Sequence, residues 1–424
     1  TGAAFAAAEA AQSVVGRLLS SGAGQGSGSP SALWSRLSSP WHRPRRLCAS
    51  DLVSPEGRPR VGLLIDMDGT FYSPLGLLPG ATELYRRVRA LGVPFVFVSN
   101  TGAKAASGVC AKLARGPFRL PAPLPDPERH AWTAADAQVA WMVDRVPKDA
   151  RVFVISGGSC PFWAGMLRAR APELVASWEL RTALSDAEAK RWAAMAALDG
   201  DRRARVFVVF FLDGELSSTV DPSTGESGFT DWSFDVIKKA SYLLAHGATF
   251  VCTAEDAFNP SEDPAYPGLV WPLPGPGMFA AMMRKVMYPQ GLGRVHCLGK
   301  GGHAGARYLT QRAVGMLRAQ GHSGDLDKVI IIGDRYDTDI RAGIQAGVRT
   351  CLVETGCHSP ALQCHYPADV PDFIMPSVGA IAALLPAAAP RPRSPAATHH
   401  SRAPEGPKRS WSASGALGLG RAPS

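Results

Sequence analysis

Short apolar runs punctuate this chain, and they are continuous rather than alternating. They lie at residues 61–65, 94–98, 294–298, 329–332 and 350–353. A continuous run marks a strand buried on both faces, whereas a strand with one wet face alternates. Helical periodicity fills the intervals. Ala81, Leu84, Val88 and Leu91 share one face over 81–91, and further helices are predicted over 304–319 and 338–345. Strands alternating with helices predict a parallel sheet covered on both sides: an α/β, doubly wound, Rossmann-like core. The middle has runs of its own at 152–155, 206–211 and 249–252, and a helix over 232–245 is expected to bury Phe234, Ile237 and Leu244. The pattern divides the chain into a core of residues 58–150 and 291–385 and a smaller α/β unit, 151–290, inserted into it.

In open parallel sheets ligands bind beyond the carboxyl ends of the strands, so the residues after each run are the informative ones. The first run is followed by Asp66-Met67-Asp68-Gly69-Thr70 and the second by Ser99-Asn100-Thr101. The run at 294 leads to Gly299-Lys300-Gly301, and the run at 329 to Gly333-Asp334-Arg335-Tyr336-Asp337-Thr338-Asp339. Carboxylates, a hydroxyl and an ammonium therefore converge on one edge of the predicted sheet. A lone Asp-x-Asp-Gly is often an ordinary turn; the matching strand ends argue against that here.

The order Asp66, Ser99, Lys300, Asp334 resembles the signature of the haloacid dehalogenase superfamily of phosphotransferases. With the sequence Gly333 to Asp339 and the later Leu352-Val353-Glu354-Thr355-Gly356, it is similar to the NagD-type subfamily, whose members include phosphoglycolate, pyridoxal phosphate and 4-nitrophenyl phosphatases. The insertion between Ser99 and Lys300 then corresponds to that subfamily's large α/β cap. The resemblance implies a nucleophilic Asp66, an acid–base Asp68, and a Lys300 that offsets their charge and the substrate's. Ser99, Asn100, Thr101 and Lys300 are implied to hold the phosphate. Asp66, Asp68 and Asp334 are implied to hold Mg²⁺, a hard cation suited to oxygen ligands, with Asp339 supporting the metal loop from behind. Asp337 reads as a helix N-cap. In the cap, Asp256 and Asn259 fall where substrate-reading residues lie. The expected substrate is a small phosphorylated metabolite, 2-phosphoglycolate first, with pyridoxal phosphate or a nucleotide as alternatives. Relatives pair through the cap, which extends to an expectation of a homodimer. One departure is plain: Gly301-Gly302 follow Lys300 where the subfamily has Pro.

Composition narrows the partners. The net charge of +9 is carried by the ends: seven Arg against three acids in residues 1–60, and six Lys or Arg against Glu405 in 386–424. Residues 61–385 are formally neutral, so no nucleic-acid face is expected. Residues 1–57 suit an organelle transit peptide and equally a disordered extension, which leaves the compartment cytoplasmic, mitochondrial or plastid. Residues 386–424, rich in Pro, Ala, Ser and Arg, read as a disordered tail. No apolar stretch is long enough for a membrane span. The eight Cys are scattered; Cys357-His358 and Cys364-His365 fit no common zinc spacing and read as incidental. A non-catalytic protein of the same fold would be expected to have lost Asp66, Asp68 or Asp334, and a dehalogenase would lack the acid at 68.

Overall fold

The structure, a computed structural model, describes residues 43–387 apart from 103, 157–159, 200–204, 212–218, 221–226, 229–233, 263–269, 288–293 and 302–305. Most of both expected tails, 1–42 and 388–424, lies outside the described residues. In chain order the principal strands are β1 (Gly62–Asp66), β2 (Phe95–Ser99), β3 (Ala131–Thr133), β4 (Arg151–Ser156), β5 (Glu179–Arg181), β6 (Val206–Phe211), β7 (Thr249–Cys252), β8 (Arg294–Cys297), β9 (Val329–Gly333), β10 (Arg349–Val353) and β11 (Phe373–Met375). Six of them form one sheet in the order β11-β10-β9-β1-β2-β3, every neighbouring pair parallel. From β1 the chain winds outward through β2 and β3, and later through β9, β10 and β11 on the other side. That reversal opens a crevice at the carboxyl ends of β1 and β9.

The continuous apolar runs do what their pattern predicts. Leu63 and Ile65 of β1 pack on one face with Leu84 and Val88 of the helix Ala81–Leu91; Leu64 packs on the other with Val314 and Leu317 of the helix Ala306–Ala319. Each such leucine, fully buried, contributes about 2 kcal/mol. Leu91, at the end of its helix, is only partly buried.

A second sheet of five parallel strands, β8-β7-β6-β4-β5, forms the cap. Val152, Val154, Phe207, Val209 and Val251 share an apolar cluster with Leu64, Val96 and Val98, so one face of the cap sheet packs onto the helices covering the core. The other face is closed by helices Asp186–Asp199, Phe234–Ala245 and Pro276–Met287.

Three expectations change here. The run at 294, expected in the core, pairs with β7 in the cap sheet, Arg294 beside Thr249 through Cys297 beside Cys252. An apolar run shows that a strand will be buried but not which partner it will find. Phe234, expected in the core of its helix, is 80% exposed, while Leu244 is buried and Ile237 partly so; Phe234 is the helix's first residue and lies beyond the face that packs. Residues 43–57, expected as part of the extension, are built onto the first sheet. Arg45 bridges β11 through backbone hydrogen bonds, and Leu47, Leu52 and Val53 enter the core.

Candidate active site

β1 ends in Asp66, which is buried to 5% exposure at the mouth of the crevice. Gly69, at φ +79°, turns the chain sharply after it, and a side chain there would strike the Asp334 carboxylate. Asp68, two residues on from Asp66, stands outside the buried carboxylate cluster: its side chain is exposed, and its Oδ2 accepts a hydrogen bond from the Tyr72 hydroxyl at 3.0 Å. β9 delivers Asp334, 1% exposed, whose Oδ2 accepts from the Cys357 N–H at 2.6 Å. The segment Tyr336–Ile340 is a π-helical turn. Such turns are rare and recur at functional sites, because the extra residue re-aims a side chain. Here it brings Asp339 inward. The three carboxylates Asp66, Asp334 and Asp339 offer oxygens all within 4.8 Å of one another.

Lys300 reaches this cluster from the loop after β8. Its ammonium, 2% exposed, hydrogen-bonds Asp66 Oδ1 and lies 2.7 Å from Asp339 Oδ1, an ion pair whose alignment falls short of a hydrogen bond. Burial alone would lower the Lys300 pKa; Asp339 and Asp66 more than reverse it, so the side chain is a firm cation. Burial raises Asp66 well above the carboxylate range, with Lys300 opposing, and burial with Asp339 beside it pushes Asp334 up to about 6. Among the described residues three buried carboxylates face one ammonium, so this cluster, when ionised, carries two negative charges in excess. An oxygen-only donor set with that excess fits a small divalent cation.

Of the metal set expected from sequence, Asp66 and Asp334 lie in this cluster together with Asp339, and the Asp68 carboxylate lies outside it. Asp337 is corrected. It caps no helix but takes both nitrogens of the Arg335 fork, at 3.0 and 2.8 Å. Burial would raise its pKa, yet the guanidinium beside it holds Asp337 below the usual range.

At the end of β2, Ser99 Oγ accepts from the Thr101 N–H at 3.2 Å, which leaves its own O–H to donate. Thr101 is half-buried beside it. Asn100, expected on the phosphate, is engaged elsewhere: its Oδ1 accepts from the Lys300 N–H at 2.7 Å and its Nδ2 donates to Asp256 Oδ2 at 2.6 Å. It ties the lysine loop to the cap. Asp256 is buried, and desolvation raises its pKa against the pull of Arg335 and Lys300. Asn259 lies in the strand Phe258–Glu262, with its side chain outside the described residues. Gly301, where the subfamily has Pro, sits at φ +87°, a conformation closed to proline.

Arg335 was not singled out by sequence reasoning. It is buried, its guanidinium stacks 5.2 Å from the Phe258 ring, and its Nη1 reaches the Phe258 carbonyl at 3.5 Å. The signal was present in Asp337, two residues on. His358, from the discounted Cys–His pairs, accepts from the Tyr336 N–H and stacks on Tyr336 and Tyr366, bracing the Tyr336–Ile340 turn.

Comparison with known proteins now bears on this arrangement. A haloacid dehalogenase-like hydrolase family model matches residues 63–161, and a second, HAD-hydrolase-like, matches 274–381. The 5'-nucleotidase YutF of Bacillus subtilis is 25% identical over 70% of this chain and 87% of its own length. The dihydroxyacetone phosphatase of Corynebacterium glutamicum is 25% identical over 72% of this chain and 86% of its own. A 4-nitrophenylphosphatase structure from Thermotoga maritima, 20% identical, superposes with a TM-score of 0.53 over 77% of this chain and 98% of that one, which shows a common fold. Over the two matched segments the chain is similar to haloacid dehalogenase-like hydrolases, and its fold is shared with the 4-nitrophenylphosphatase. Its reaction class is that of a phosphoric monoester hydrolase.

Proposed function

We propose that this protein hydrolyses small phosphate monoesters in a Mg²⁺-dependent reaction that passes through a phosphorylated Asp66. The observation that carries the reading is the buried cluster of Asp66, Asp334 and Asp339 around Lys300, with its two excess negative charges. Lys300 pairs with one oxygen of Asp66 and leaves the other to attack phosphorus. The Asp66 oxygen forms a bond to phosphorus, the ester P–O bond breaks, and Asp68 gives its proton to the departing oxygen. Water then attacks the acyl phosphate while Asp68 takes its proton back, releasing inorganic phosphate and regenerating Asp66. The Ser99 hydroxyl and the Lys300 ammonium stabilise the phosphoryl oxygens as charge builds on them. Asp66, Asp334 and Asp339 would hold Mg²⁺, which when bound neutralises the repulsion between an anionic nucleophile and an anionic ester.

The ester we put first is 2-phosphoglycolate, with pyridoxal phosphate and nucleotides next; the names of the curated relatives support small metabolite esters as a class. The test is a panel of esters assayed with Mg²⁺ and with chelator, on wild type and Asp66→Asn. Wild type should turn over p-nitrophenyl phosphate with the metal only, and the variant should lose on the order of 10⁴-fold or more. Undiminished turnover by Asp66→Asn would refute the covalent route, and undiminished turnover in chelator would refute the metal.

A further inference from the structure

The turn that diverts Asp68 from the carboxylate cluster also hands it a partner. Tyr72 begins the short hairpin Tyr72–Ser73 with Gly76–Leu77, which folds straight back on the nucleophile loop. Its main chain closes that loop: Gly69 N–H donates to Tyr72 O at 2.8 Å, and Tyr72 N–H donates to Met67 O at 3.0 Å. The hydroxyl donates to Asp68 Oδ2 at 3.0 Å. The ring is clamped on its other side, with the Lys112 ammonium 3.6 Å from the ring centre and Phe118 meeting it edge-on at 5.4 Å. Tyr72 is buried at 4% exposure whereas the Asp68 side chain is exposed, so a fixed group holds a free one. Lys112 also lies within electrostatic reach of Asp68.

An exposed aspartate on a glycine turn samples several rotamers in water, and a proton-transfer group must be held within hydrogen-bond reach of its target. We infer that Tyr72 is a positioning residue for Asp68, its hydroxyl fixing the carboxyl that passes a proton to the leaving oxygen, with Lys112 and Phe118 holding the ring. The inference rests on the acid–base role of Asp68 proposed above. It has a consequence that a merely structural tyrosine lacks. Loss of an aligned acid slows esters whose leaving oxygen needs a proton, and spares p-nitrophenyl phosphate, whose phenolate leaves without one.

The experiment compares kcat/KM for p-nitrophenyl phosphate and for an alkyl phosphate the enzyme accepts, in wild type, Tyr72→Phe, Lys112→Met and Asp68→Asn. Asp68→Asn should fall about 10²-fold or more on the alkyl ester and far less on the aryl one. Tyr72→Phe should show the same bias at about tenfold, and Lys112→Met a smaller bias in the same direction. Equal losses on both esters in Tyr72→Phe, or none, overturn the positioning role. Should Tyr72→Phe not fold, Lys112→Met decides alone by the same criterion. Absence of any leaving-group bias in Asp68→Asn overturns instead the reading of Asp68 on which this inference stands.

Discussion

The loop after β9 carries Asp334, Asp337 and Asp339 within one short turn and treats them in opposite ways. Asp334 and Asp339 point inward, where three carboxylates share one ammonium and Asp334 is pushed up to about 6. Asp337 points outward into the fork of Arg335 and is held below the usual range. One side of the loop is left short of positive charge; on the other, acid and base are matched. A matched pair fixes shape, and an unmatched cluster is unstable until something cationic fills it. The contrast separates the part of the loop that does chemistry from the part that holds it.

The comparison can be broken from either side. The largest effect is expected from Asp339→Asn, which removes one inward charge at constant shape: the Mg²⁺ concentration for half-maximal activity should rise about 10- to 100-fold in a metal titration. An unchanged titration would show that Asp339 takes no part in holding the cation. On the outward side, Arg335→Lys exchanges a planar fork for a point charge. It should lower Tm by about 3 °C in a thermal melt and leave the Mg²⁺ titration where it was. A shifted titration in that variant would merge the two sides into one unit. The smallest effect belongs to Asp256, whose folded-state pKa is raised by burial. The folded protein therefore binds more protons than the unfolded chain above about pH 4, and stability from this group declines as pH climbs through the raised value. Asp256→Asn should accordingly gain on wild type by about 2 °C in Tm at neutral pH relative to pH 4. A Tm difference independent of pH would contradict the assigned direction.

What could be read from the sequence follows from range. Asp66, Ser99, Lys300 and Asp334 sit immediately after apolar runs, and a strand's end is a local property. Lys300 was correctly placed even though β8, the strand before it, belongs to the other sheet, since β8 still ends at the crevice. Asp339 was misjudged because an ordinary helix start at 338 would aim it elsewhere; a π-turn, set by tertiary packing, has no composition of its own. The Asp68 carboxylate, expected among the metal ligands, stands outside the cluster because the chain turns at Gly69. Asn100 was expected on the phosphate from the resemblance after the second strand, but Asp256, far away in sequence, claims its amide. The cap's contribution was least legible, since its loops are chosen by what they meet rather than by periodicity.

The ammonium that partners Asp66 hangs from the cap sheet: Lys300 follows β8 directly, and the Leu298 N–H is bonded to the carbonyl of Cys252 at the end of β7. Nucleophile and counter-ion therefore ride on separate sheets. Whatever shifts one sheet against the other changes the charge that the attacking carboxylate feels, so the spacing of the two sheets sets the strength of that pairing.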